Sequence, residues 1–301
     1  MTIAMREQEI ITLAGSFFTG KRAGKEILKG IGDDCAVLRY NDKWDLLATC
    51  DTLTENTHFL KGTKPELLAH KLLAVNLSDI ASMAGIPLWG ILSLGAPKTA
   101  SAAFLTRFMA ALAREADKYK LSIVGGDTVR CDALTLTLTL IGKVERGRAV
   151  LRSGAKAGDL VLVTGSLGNT FKSGRHLSFE PRIKEARWLS EKLFPSAMMD
   201  LSDGLCEDGR RLALASKLTM AINGDAVPCA KNCGLPEAIT GGEDFELLLT
   251  VPKNRFSAEI KKRFEKKFSL KLTVVGEMKK AGKHPLLIDG KENDWTGYAH
   301  F

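Results

Sequence analysis

Histidine is scarce in this chain: five in 301 residues, alongside three tyrosines and four tryptophans. A site built mainly on imidazole ligands or a Ser–His–Asp relay has little to draw on. Long apolar runs are missing too. The most apolar stretch, Met83 to Pro97, is too short to span a bilayer and contains Pro87. Residues 1–15 hold no apolar h-region, because Arg6, Glu7, Gln8 and Glu9 interrupt it. The expectation is a soluble, cytoplasmic protein with no membrane partner. The six cysteines are scattered and form no disulfide framework. Cys229 and Cys233 are the one close pair; no histidine lies near them, and they read as ordinary thiols. A P-loop is missing as well. Gly15 to Arg22 nearly matches the Walker A pattern, but Arg22 stands where a magnesium-binding hydroxyl is required. That stretch reads as a helix end followed by a basic turn.

The net charge of +8 raises the question of a polyanionic partner. Its distribution answers it. Residues 253–283 hold eleven Lys/Arg and three Asp/Glu, while the rest of the chain holds 32 of each sign. Within that segment Ile260, Phe264 and Phe268 recur at one helical turn, the spacing of a buried face. A solvated amphipathic helix is expected, and no nucleic acid.

Periodicity gives the coarse order of elements. Helices are expected over 4–18, from Pro65 to about Gly85, and over 100–120, 182–193, 204–216 and 256–268. Strands are expected over 34–39, 45–50, 88–95, 121–124, 160–164, 197–200, 218–222, 245–251 and 271–276. Leu134 to Leu140 alternates leucine with threonine, which predicts a strand with one apolar face. The turn-rich Arg152–Asp159 suggests a boundary, giving two α+β domains over 1–150 and 151–301.

Acidic residues carry the chemistry. Aspartates recur after apolar runs and beside Gly, Ser or Thr: Asp33 and Asp34, Asp51, Asp79, Asp127, Asp200 and Asp203, and Glu243-Asp244. Each alone is an ordinary cap or turn residue. Together they point to hard, oxygen-seeking cations, because clustered carboxylates resist joint ionisation. Magnesium binds through few carboxylates plus substrate phosphates, so the set implies several ions and a polyphosphate. Adjacent glycines let backbone N–H groups approach phosphate oxygens. Asn76 and Asp79 share a helix face. Near the C-terminus, Trp295, Tyr298, His300 and Phe301 suggest docking on the body or stacking on a flat ligand.

The segments GIGDDCAVL, CDTLTENTHF, AVNLSDIASMAG, VGGDT, RSGAKAGD, DLSDGL, GGEDFEL and DWTGYAHF, in this order, resemble the thiamine-monophosphate kinase family. That family belongs to the aminoimidazole-ribonucleotide-synthetase-like ATP-binding superfamily. The resemblance implies an α+β fold whose N-terminal sheet completes a barrel across a homodimer, followed by a sandwich-like α/β domain. It implies transfer of the ATP γ-phosphoryl group to thiamine monophosphate, the last step of thiamine diphosphate biosynthesis. By motif match Asp34, Thr49, Asp51, Asp79, Asp127, Asp200 and Asp203 would bind magnesium. Gly126, Asp127, Arg152 and Ser202 would contact ATP. His58, Glu243 and Trp295 would contact thiamine monophosphate. No catalytic side chain is implied, because the attacking phosphate oxygen is already ionised. Cys50 stands where the family usually has Thr or Ser.

Relatives making selenophosphate or serving hydrogenase maturation are the nearest alternatives. Residues 1–30 lack the reactive Cys of the former, and the C-terminus lacks the Cys of the latter.

Overall fold

The computed structural model describes residues 7–18, 24–292 and 295–297. Lys21 and Arg22 of the Walker-like stretch, and Tyr298, His300 and Phe301, lie outside the described residues. The first half comprises α1 (Glu7–Phe18), β1 (Ile27–Lys29), β2 (Ala36–Arg39), β3 (Trp44–Thr54), α2 (Pro65–Ser82), β4 (Ile86–Ala96), α3 (Ala102–Lys118), β5 (Ser122–Arg130) and β6 (Thr135–Glu145). The second comprises β7 (Leu160–Thr164), α4 (Thr170–Ser173), α5 (Ile183–Leu193), β8 (Ala197–Asp200), α6 (Leu205–Ala215), β9 (Thr219–Ile222), α7 (Leu235–Thr240), β10 (Leu247–Val251), α8 (Ala258–Phe268), β11 (Leu272–Lys279) and β12 (Leu286–Ile288).

Two six-stranded sheets result, ordered β1-β2-β3-β6-β4-β5 and β12-β9-β11-β7-β10-β8. The architecture is mixed α/β. The first sheet is an open row of strands within this chain. Its centre follows directly from the alternating leucines: Leu136, Leu138 and Leu140 are buried on one face of β6, while the threonines between them are half-buried. On β3 the same period puts Leu47, Thr49, Asp51 and Leu53 on one side, toward α2.

Helix α2 lies between the two sheets. Pro65 opens it at a position where no backbone donor is needed. It packs on β3 and β6, on α3 and α5, and on β8. Accordingly it is buried nearly all round. Its polar residues Lys71, Asn76 and Ser78 are inside as well, so each requires a partner. Helix α3 is amphipathic instead: Ser101 caps it by accepting from the Phe104 amide, and Phe108, Ala111, Leu112 and Ala116 face the core.

The basic segment behaves as its period indicates. Phe264 of α8 is fully buried, and Phe264, Phe268 and Trp188 form an aromatic cluster with ring centroids 5.0–6.2 Å apart. Lys262 and Lys266 are exposed, and the Lys267 ammonium lies over the Phe268 ring, 5.6 Å from its centroid. The expected short strand at 121–124 runs on to Arg130. Gly125 and Gly126 do not break it, because a Cβ on Gly126 would sit 1.8 Å from the Leu92 carbonyl oxygen: close strand pairing demands glycine there.

Candidate functional site

A cavity of about 660 Å3 opens where the two sheets meet across α2. Strand β3 presents Thr49 and Asp51 into it, and α2 presents Asp79. The β1–β2 loop supplies Asp34, the end of β8 supplies Asp200, and the turn from it into α6 supplies Ser202 and Asp203. Arg152, His58 and Glu243 also line it. Residues from seven separate segments thus converge.

Carboxylate oxygens of Asp34, Asp79 and Asp200 lie within 4.8 Å of one another. Thr49 donates its hydroxyl to Asp79, and Ser78 donates to Asp200 at 2.5 Å. Asn76 is held by the Leu72 carbonyl at 3.0 Å and accepts from the Asp51 amide at 3.2 Å, which fixes β3 against α2. Arg152 donates through Nε to Asp34 at 2.8 Å, and its amide reaches Asp33 at 3.1 Å. The second oxygen of Asp34 is buried with no hydrogen-bond partner. One guanidinium therefore serves a crowd of acids. Burial, then the Asp34 charge, raises Asp51 to about 6 and Asp200 to about 7. Burial, then Asp51, Asp200 and Asp34, drives Asp79 well above the ordinary carboxylate value. An all-oxygen, charge-rich donor set with an orphaned oxygen fits a hard divalent cation.

Glu243 enters from the loop before β10. Its backbone is left-handed (φ +61°), as is that of Phe245 (φ +50°), and the loop is pinned by its amide bond to the Ser202 carbonyl at 2.6 Å. The Glu243 carboxylate accepts two bonds of 2.7 Å from Lys71, whose third goes to the His58 carbonyl at 2.8 Å. Lys71 is completely buried, and burial lowers its pKa. Sequence reasoning missed it. The available signal was a lysine inside an otherwise apolar helix face. Arg211 was missed too: it donates to Asp203 and, at 3.1 Å, to Asp208, whose other oxygen accepts from the Asp203 amide at 2.9 Å.

Three expected residues stand apart. Gly126 and Asp127 lie on β5, the exposed edge of the first sheet, and do not line the cavity. Trp295 packs on the core of the second sheet, where its carbonyl accepts from the Cys206 thiol at 2.8 Å; it does not line the cavity either.

Residues 32–144 match the family described as AIR synthase related protein, N-terminal domain. This defines the class of that segment: an AIR-synthase-related N-terminal domain, here lining an acidic cavity. The chain is 33% identical to the thiamine-monophosphate kinase of Buchnera aphidicola subsp. Schizaphis graminum, covering 99% of this chain and all of that one. It is 34% identical to the thiamine-monophosphate kinase of Escherichia coli K12, covering 96% and 97%. The solved structure of AaThiL complexed with AMPPCP and TMP superposes with a TM-score of 0.86 over both whole chains at 29% identity. The chain belongs to the thiamine-monophosphate kinase family.

Proposed function

We propose that the cavity binds ATP and thiamine monophosphate side by side and transfers the γ-phosphoryl group directly and in line, giving ADP and thiamine diphosphate. The observation that carries this is the buried trio Asp34, Asp79 and Asp200, with its orphaned oxygen, at the floor of a cavity large enough for two phosphorylated ligands. Support comes from the relatives' shared name and from a neighbour holding a nucleotide analogue and TMP.

Asp34, Thr49, Asp51, Asp79, Asp200 and Asp203 would hold several magnesium ions. When bound, such ions supply the positive charge that offsets repulsion between two polyanions, about 4 kcal/mol per unit-charge pair at 4 Å and an effective dielectric near 20. The chain's own residues do the rest. Arg152 and the Ser202 region orient ATP. The Lys71 ammonium fixes Glu243 and the His58 loop as one wall for the acceptor. No side chain needs to take a proton, since the acceptor phosphate is ionised at neutral pH.

The positions of Gly126 and Asp127 favour a homodimer. β5 is an exposed edge bearing Val124 and Val129, next to exposed Trp89 and Ile91 on β4. A second copy closing that edge into a barrel would cover these residues and bring Gly126 and Asp127 to a nucleotide. Trp295 would reach the acceptor by a shift of the C-terminal segment. We place the division into two domains at residues 150/151, between the sheets. No helix among the described residues is long and apolar enough to cross a membrane, in keeping with a cytoplasmic enzyme. The burial of Phe264 leaves α8 as a solvated surface helix rather than a nucleic-acid site.

The decisive experiment is incubation with ATP, magnesium and thiamine monophosphate, followed by chromatography. Thiamine diphosphate and ADP are expected in equal amounts. A folded protein that forms neither would end this reading.

A further inference from the structure

Phe171 is the aromatic side chain that the cavity leaves bare. It sits on α4, lines the cavity and is 51% exposed. The other phenylalanine there, Phe245, is buried, and its face is taken by Phe179 at 4.1 Å. Phe171 is not a loose surface residue. His176 packs against its ring with centroids 4.7 Å apart and a 34° tilt. The His176 Nδ1 lies 3.1 Å from the Thr170 carbonyl oxygen, which fixes the imidazole as a backing. The Thr170 hydroxyl donates to the Gly242 carbonyl at 2.9 Å, so α4 is bolted to the loop that carries Glu243. Arg175 ties the preceding turn down through the Ser166 carbonyl at 2.8 Å and Asp244 at 2.5 Å.

One ring face is therefore braced, while the ring stays half exposed in the cavity that Glu243 also lines. A phenyl ring has no polar atom, so it takes an apolar partner and gains most from a flat or cationic one laid against its exposed side. The cavity also carries seven carboxylates. A ligand satisfying both features carries a phosphate at one end and a flat ring at the other. Building on the function proposed above, we infer that Phe171 is a specificity-determining residue of this chain. Its open face is a shelf for the heteroaromatic part of the phosphate acceptor, in addition to the contact proposed for Trp295.

The test begins with wild-type turnover, then measures thiamine monophosphate affinity by calorimetry with magnesium and a non-hydrolysable ATP analogue present. Phe171→Ala should weaken that affinity about tenfold. Phe171→Tyr should restore it to within twofold. Phe171→Leu, which keeps apolar bulk but loses the π face, should resemble Ala. The KM for ATP and inhibition by inorganic phosphate should move less than twofold, which a collapsed site would not allow. Wild-type turnover combined with unchanged affinity in Phe171→Ala and Phe171→Leu would overturn the shelf alone. A wild type that neither binds nor phosphorylates thiamine monophosphate would overturn the kinase reading and the shelf with it.

Discussion

Two groups of buried acids in this molecule are built on opposite rules. Beneath β10, each acid has its own guanidinium. Arg182 donates through Nε to Glu246 at 2.8 Å, and Arg175 takes Asp244. Thr164 adds a hydroxyl bond of 2.7 Å to Glu246. Under α2, in contrast, Asp34, Asp51, Asp79 and Asp200 share the single Arg152. The matched pairs hold loops in place. The unmatched set is a standing deficit of positive charge, and a protein retains such a deficit only where something cationic is expected to arrive.

The largest effect should come from the unmatched set. Asp51→Asn is expected to lower turnover by about a thousandfold. The melting temperature of the metal-free chain should hold or rise, because a repelling charge is gone. Steady-state assays paired with thermal melts measure both; near-normal turnover would show the metal site lies elsewhere.

The matched set should respond the other way. Arg182→Met leaves Glu246 buried without its partner, at a cost of about 3–5 kcal/mol in denaturant unfolding. A loss below about 1 kcal/mol would mean that Glu246 is rescued by water or by Thr164.

Burial raises an acid in each set to about 7, Asp200 in one and Asp244 in the other, so the test by pH is made on the unmatched set. Asp200, raised to about 7, binds its proton more tightly in the folded chain than in the unfolded one. The resulting penalty is absent below its ordinary value near 4 and complete above 7, so stability falls as pH rises through that window. Metal-free wild type should thus lose melting temperature from pH 4 to 7.5 relative to Asp200→Asn, and magnesium should remove the difference. Parallel profiles without metal would contradict this. The smallest effect belongs to exposed pairs: Glu66→Gln, which breaks the surface contact with Arg107 at 2.8 Å, should leave melting and turnover unchanged within error.

The same contrast explains what could be read from the sequence. Period alone located β6, α3 and the buried face of α8, because each signal lies within a dozen residues. The acids of the cavity were legible as a type, since Asp next to Gly or Ser after an apolar run is local too. Their partners were not. Lys71 meets Glu243, and Arg182 meets Glu246, across long stretches of chain that no local pattern links. Gly125 and Gly126 read as the end of a strand, whereas in β5 Gly126 answers to the neighbouring Leu92. The short elements β1, β12, α4 and α7 went unread because three to six residues carry too little periodicity. Phe171, on one of those elements, was invisible for the same reason.

Helix α2 also sets a length. Lys71, which ties Glu243 to the His58 carbonyl, and Asp79, in the acid cluster, are eight residues apart on one helix. At 1.5 Å per residue that is about 12 Å along the axis. A rigid helix packed from every side cannot stretch, so the gap between the two halves of the cavity is fixed by its pitch. The helix works as a ruler. An insertion of one residue between Lys71 and Asp79 would turn one of the two ends by about 100° away from its wall, leaving both sheets intact and the cavity without a common scale.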